Sequence, residues 1–241
     1  MESHFWTALT ASVLAAIVTS TGIYIIRRFE AWGRRNITYF VCFAAGVLIS
    51  ASFLHIIPRS FAMNPQAPIY LLIGYLALHF FSRFISGYVC QRNPDYAIGL
   101  VPMLGIGFHS FIDGVVYSIT FTVSLFTGAL TAVGMVLHEF PEGIVTYLLL
   151  IRSGFSEKYA LLLAFLAAAV TTPLGMLVSF PFMRHIERQD LGALLALSAG
   201  ALVYVGATHL LPQAEKEPRQ YSLVALGTGI LVAIIIVLSE Q

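Results

Sequence analysis

Long apolar runs alternate with short polar breaks along the whole chain. Eight runs stand out: 5–26, 37–57, 69–89, 98–122, 127–151, 159–183, 191–211 and 221–239. Each reaches about 20 mostly apolar residues, the length a helix needs to cross a bilayer. Charged and turn residues fill the breaks: Arg27 to Asn36, Pro58 to Pro68, Gln91 to Tyr96, Ser153 to Lys158, His185 to Asp190 and Pro212 to Gln220. Only Ser124 and Thr127 mark the break near 122–128, yet without it one apolar stretch would be more than twice the bilayer thickness. The pattern predicts an all-α integral membrane protein with eight transmembrane helices.

Composition agrees. Of 241 residues 58% are hydrophobic and 10% charged, against about 25% charged in a soluble domain. Mean hydropathy is +0.84. Disorder and a secreted disulfide scaffold are excluded, and a net charge of +1 offers no field for nucleic acid. Cys42 and Cys90 fall in or beside apolar stretches without metal-type spacing and read as packing residues. The first run follows Glu2 rather than a basic segment, so it reads as a retained span and not a cleaved signal.

Lys and Arg orient the spans. With both termini outside, the inner loops hold Arg27, Arg28, Arg34, Arg35, Arg92, Arg152, Lys158, Lys216 and Arg219. The outer loops then hold only Arg59, Arg184 and Arg188, while Arg83 lies near the inner end of span three. Both termini are expected outside.

Span two contains AAGVLISASFLHIIP and span seven SAGALVYVGATHLLP. Gly46, Leu48, His55 and Pro58 match Gly200, Leu202, His209 and Pro212 at an offset of 154. Carried outward, that offset relates spans one to three to spans six to eight. The chain therefore reads as a single transporter-like domain over 1–241: repeat one about 5–89, a central pair about 98–151, and repeat two about 159–239. Spans five apart cross in opposite directions, so this 3+2+3 repeat is inverted, the plan of many secondary transporters.

Most acidic residues sit in breaks, at span ends or at the termini; Asp113, Glu139 and Glu142 sit inside spans four and five. Left unpaired at mid-bilayer, the three would cost about 8–10 kcal/mol together, and neither span contains Lys or Arg. A bound cation or protonation must compensate. His109 and His138 accompany them in HSFIDG and HEFPEG, where each His precedes a carboxylate by four residues and so shares its helix face. Imidazole with carboxylate and no thiolate suits zinc, iron, manganese or cobalt. Four or five such ligands from two helices can fill a metal shell.

These strings resemble the ZIP (Zrt/Irt-like) divalent metal transporters, in a bacterial-type form because position 142 is Glu. The His-Asn-x-x-Asp motif of the family's fourth span is matched by His109, Ser110 and Asp113. Its fifth-span His-Glu-x-Pro motif is matched by His138, Glu139, Pro141 and Glu142. The resemblance implies a mid-membrane site built from His109, Asp113, His138 and Glu142, with Glu139 beside it. It also implies a divalent metal, zinc first, as transported substrate and not as resident cofactor. The family's second metal position falls here on Ser110 and Thr172 in place of stronger ligands, so one site with a polar annex is expected. The loop at about 90–97 is short and lacks the His-rich stretch the family often carries there. Expected partners are metal ions and the lipid bilayer in the cell (inner or plasma) membrane. A homodimer is compatible with the family, but no patch in the sequence specifies one.

His55 near the outer end of span two and His209 near the inner end of span seven read either as entrance and exit relays or as helix-end residues before proline. His79 and Arg83 read as packing with Arg83 reaching inward. Against the transporter stand a slow metal-selective channel, a fixed-site receptor and an intramembrane metalloprotease. The last needs H-E-x-x-H, and here position 142 is Glu, so no enzyme is expected.

Overall fold

The computed structural model describes residues 2–91, 93, 95–123, 125–182, 187–216 and 219–239; the side chains of some of these, His138 among them, lie outside the description, as does His185. Among the described residues there is no strand. A bilayer core offers no water to backbone groups, so apolar segments satisfy them internally as helices.

The chain begins with α1 (Glu2–Arg28) and the short α2 (Glu30–Arg35), which occupies the first predicted break. A second rod joins α3 (Ile37–Ala51), a π-helical turn (Ser52–Ile56) and α4 (Ile57–Met63). Next come α5 (Ala67–Phe84) with a π-helical end (Ile85–Val89), α6 (Tyr96–Val123) and α7 (Leu125–Arg152). A sixth rod joins α8 (Glu157–Ala164), a π-helical segment (Phe165–Val170) and α9 (Thr171–Ser179). Then α10 (Arg188–Tyr204), another π-helical segment (Val205–Leu210) and α11 (Leu211–Lys216) lead to α12 (Ser222–Ser239).

Six helical stretches among the described residues are long and apolar enough to cross a membrane: His4–Arg28, Ile37–Met63, Ala67–Tyr88, Tyr96–Thr122, Glu157–Phe182 and Arg188–Leu210. Ser222–Ile235 is apolar but shorter. The 28-residue α7 carries several side chains outside the description. Two of the eight expected spans are thus helical without entering that set.

Helix ends follow local chemistry. Between α7 and α8 the chain turns at Gly154, φ +96°, a conformation that strains other residues. At the start of α10, Glu187 and Asp190 form a reciprocal capping box, with the Glu187 N–H donating to Asp190 Oδ2 at 2.9 Å. Pro58, Pro173 and Pro212 each follow a π-helical segment within a few residues. Proline removes a backbone donor and crowds the carbonyl four residues back; an upstream turn wound more widely relieves that clash and lets the rod continue. The second rod therefore runs to Met63, past the Pro58 at which the sequence predicts its end.

Helices associate in two groups. One contains α1, α6, α7 and α8–α9; the other contains α3–α4, α5, α10–α11 and α12. Within them the closest pairs are α1 with α7, α6 with α9, α3 with α12 and α5 with α10, while α6 and α7 pack side by side. Glycine sets the approach, since small residues let backbones touch. A methyl on Gly46 would strike the Leu226 carbonyl, and one on Gly200 the Leu71 carbonyl. Gly229 stands likewise against Phe43, and Gly74 against Leu197. Positions 43 and 46 map onto 197 and 200 by 154, and 71 and 74 onto 226 and 229 by 155. In the other group Gly114 faces the Thr172 carbonyl and Gly175 that of Phe111, while Gly143 faces that of Thr19 and Gly22 that of Phe140. Here an offset of 29 relates α6 to α7, and 153 relates α1 to α9. The same backbone contacts are therefore made twice.

Candidate metal centre

Two long helices side by side present the site. His109, Ser110 and Asp113 lie on α6; His138, Glu139 and Glu142 lie on α7. The i, i+4 spacing does what the sequence predicts on α6, placing His109 Nε2 3.5 Å from Asp113 Oδ2. Across the helix pair the same nitrogen lies 3.6 Å from Glu142 Oε1. All three residues are buried. Donor atoms around a tetrahedral zinc sit roughly 3.3 Å apart, given metal–ligand distances of about 2.0–2.1 Å, so these separations are close to those of a coordination shell. Among the described residues no group of three or more His, Cys, Asp or Glu is already drawn in tightly enough to hold a metal ion. The side chain of His138, the fourth expected ligand, lies outside the described residues.

Glu139 has a different setting. It is fully buried, and its oxygens accept from Thr19 Oγ1 on α1 at 2.5 Å and Thr172 Oγ1 on α9 at 2.9 Å. Ser110 Oγ donates to Glu142 Oε2 at 3.4 Å. The structure thus gathers His109, Asp113, Glu142 and Ser110 at one place and Glu139 with Thr172 beside it.

Two contributors escaped the sequence reading. Thr19 is the repeat partner of Thr172 and would have emerged had the repeat been aligned residue by residue in spans one and six. Ser198 Oγ, on α10, lies 3.0 Å from His109 Nδ1. Its only signal is that the repeat partner, position 44, is Ala.

A cavity of about 70 Å³ is lined by His109, Asp113 and Glu142 together with His55 and Arg59. His209 lies elsewhere, with its ring 5.0 Å from that of Tyr204 and its Nε2 3.5 Å from Ser82 Oγ. His55 and His209 therefore sit in equivalent π-helical turns, but only His55 shares the cavity with the candidate ligands. At the helix ends, Arg27 pairs with Glu157 at 2.6 Å and Arg34 with Glu30 at 2.7 Å. His4, at the start of α1, hydrogen-bonds the Phe121 carbonyl through Nδ1 at 2.7 Å. Both cysteines are buried free thiols, as packing residues should be.

Residues 95–236 match the family described as ZIP Zinc transporter, and the two central helices with their His and carboxylate residues fall inside that match. The chain belongs to the ZIP family. Its similarity to characterised ZIP proteins is moderate. It is 31% identical over 142 residues to the metal cation symporter ZIP8 of Rattus norvegicus, covering 56% of this chain and 29% of that protein. To the metal cation symporter ZIP14 of Homo sapiens it is 27% identical over 168 residues, covering 66% of this chain and 33% of that protein. ZIP14 of Mus musculus is 31% identical over 110 residues, 46% of this chain and 22% of that protein. The aligned part spans about a third or less of these ZIP relatives.

Proposed function

We propose that this ZIP-family protein carries divalent metal cations, zinc first among them, across the cell membrane into the cytoplasm. The carrying observation is that one buried imidazole nitrogen faces two buried carboxylates in the lining of a cavity. Such groups replace an ion's water shell where the bilayer offers no compensation, and His with carboxylate accepts zinc, iron, manganese, cobalt and cadmium. His138 on α7 completes the ligand set in this reading. Glu139, engaged by two threonine hydroxyls, forms the polar annex and not a second metal centre. The relatives' printed name, metal cation symporter, supports metal as the cargo.

The twice-made glycine contacts support eight crossings in a 3+2+3 inverted repeat, and the excess of Lys and Arg in alternate loops supports both termini outside. All candidate ligands belong to the group of α1, α6, α7 and α8–α9, whereas the far wall of the cavity, including His55, Leu195 and Ala233, belongs to the other. Alternating access then follows from displacement of one group against the other.

The test is uptake into proteoliposomes holding wild type, His109→Ala or Glu142→Ala, with zinc, iron, manganese and cadmium offered separately. Saturable uptake by wild type and its loss in both variants is the expected result. Metal binding without transport would overturn the carrier, and unsaturable flux would identify a channel.

A further inference from the structure

The face of His109 turned away from the carboxylates has its own partner. Nδ1 lies 3.0 Å from Ser198 Oγ, and Ser198 is fully buried. The other nitrogen, Nε2, faces Asp113 and Glu142. A neutral imidazole carries one hydrogen, and a metal binds only the nitrogen without it. The Ser198 hydroxyl can accept from Nδ1–H or donate to a bare Nδ1; once a metal takes the Nε2 lone pair the hydrogen is on Nδ1, and the hydroxyl accepts it.

We infer that Ser198 is a positioning residue for the metal: it holds the His109 ring so that Nε2 is aimed between the carboxylates, and accepts Nδ1–H when Nε2 binds metal. This rests on the reading of His109 as a ligand. Two observations favour it over plain packing. First, Ser198 breaks an otherwise reciprocal pattern. Its repeat partner is Ala44, and that of His109 is His138, so a packing role alone would be met by the Ala that occupies position 44. Second, α10 is held independently of the site. Gly200 stands against the Leu71 backbone, and Gly74 against that of Leu197, so α5 fixes the height and rotation of the hydroxyl.

The bond also joins the two helix groups, since His109 is on α6 and Ser198 on α10. Such bonds span about 2.7–3.2 Å and are gone by about 3.6 Å, so a slide of one group past the other by an ångström or two releases His109. The contact therefore belongs to the present arrangement, and metal is held less tightly after the groups move.

The test compares wild type, Ser198→Ala, Ser198→Thr and His109→Ala in three measurements: equilibrium zinc binding in detergent, zinc uptake in proteoliposomes, and ¹⁵N spectra of ring-labelled histidine. Loss of an outer-shell partner typically weakens metal affinity about 10–100-fold. Ser198→Ala is expected to raise the zinc Kd and the uptake KM by that factor, with the saturating rate unchanged. Ser198→Thr should restore both. In zinc-loaded wild type the His109 hydrogen should sit on Nδ1 with the shift of a hydrogen-bonded donor, and that shift should change in zinc-loaded Ser198→Ala. Wild-type affinity in Ser198→Ala, or an Nδ1 signal that Ser198→Ala leaves unchanged, overturns the role of Ser198. If His109→Ala binds zinc as wild type does, the metal-site reading itself fails, and the role of Ser198 with it.

Discussion

Replacing Gly143 with Ala probes the contact on which the candidate site is built. Its new methyl would lie 2.7 Å from the Thr19 carbonyl oxygen, 2.8 Å from Thr19 Cγ2 and 3.0 Å from Ile23 Cγ1. Ordinary contact begins near 3.4 Å, so α1 and α7 must separate by several tenths of an ångström. Both helices are long and the closest atom belongs to the backbone, which leaves no rotamer to relieve the strain. Overpacking of this kind costs about 1–3 kcal/mol, offset by up to about 1 kcal/mol from the better helix propensity of Ala. The net expectation is a loss of about 1–2 kcal/mol. The shift also pulls Thr19 Oγ1 from Glu139, which lies four residues, one helical turn, before Gly143 on α7. Gly227→Ala is the control, because a methyl there meets nothing within 4 Å; it should be neutral or stabilising. Denaturation in detergent, followed by helical signal, measures all three proteins. The reasoning fails if Gly143→Ala is as stable as wild type, or if Gly227→Ala loses as much.

Thr19→Val and Thr172→Val each keep the shape but remove a hydroxyl from the buried Glu139 carboxylate. Each should cost about 1–3 kcal/mol, and the double variant should depart from additivity because the two donors share one acceptor; unchanged denaturation midpoints in both single variants would disprove it. Cys90 is buried, and burial pushes its thiol above the ordinary value. Thiolate is the reactive form, so in a Cys42→Ser protein maleimide should label Cys90 slowly at neutral pH and rapidly after unfolding, with equal rates counting against this burial.

The sequence by itself determined the helices, because bilayer-length apolar runs leave the backbone no other way to satisfy its polar groups. It also determined which residues are chemically exceptional. Carboxylates at 113, 139 and 142 are costly in apolar surroundings, and the i, i+4 rule placed His109 beside Asp113 without reference to any other helix. Glycines at 46 and 200 were visible as a repeat, though not what they touched.

Everything that depends on which helix meets which was decided by tertiary structure. Side chains 109 and 142 face one another because α6 and α7 pack side by side, and no spacing rule within one helix sets that distance. Glu139, expected beside the metal, accepts from Thr19 and Thr172, whose helices come from opposite halves of the chain. His55 and His209 are equivalent in sequence, yet of the two only the former lines the cavity, since a repeat fixes related positions but not the space left between packed helices. Ser198 reached the site across the boundary between helix groups. Local periodicity reports the face of one helix; contacts between distant helices depend on glycine-set approach and relative register, which the packed chain alone establishes.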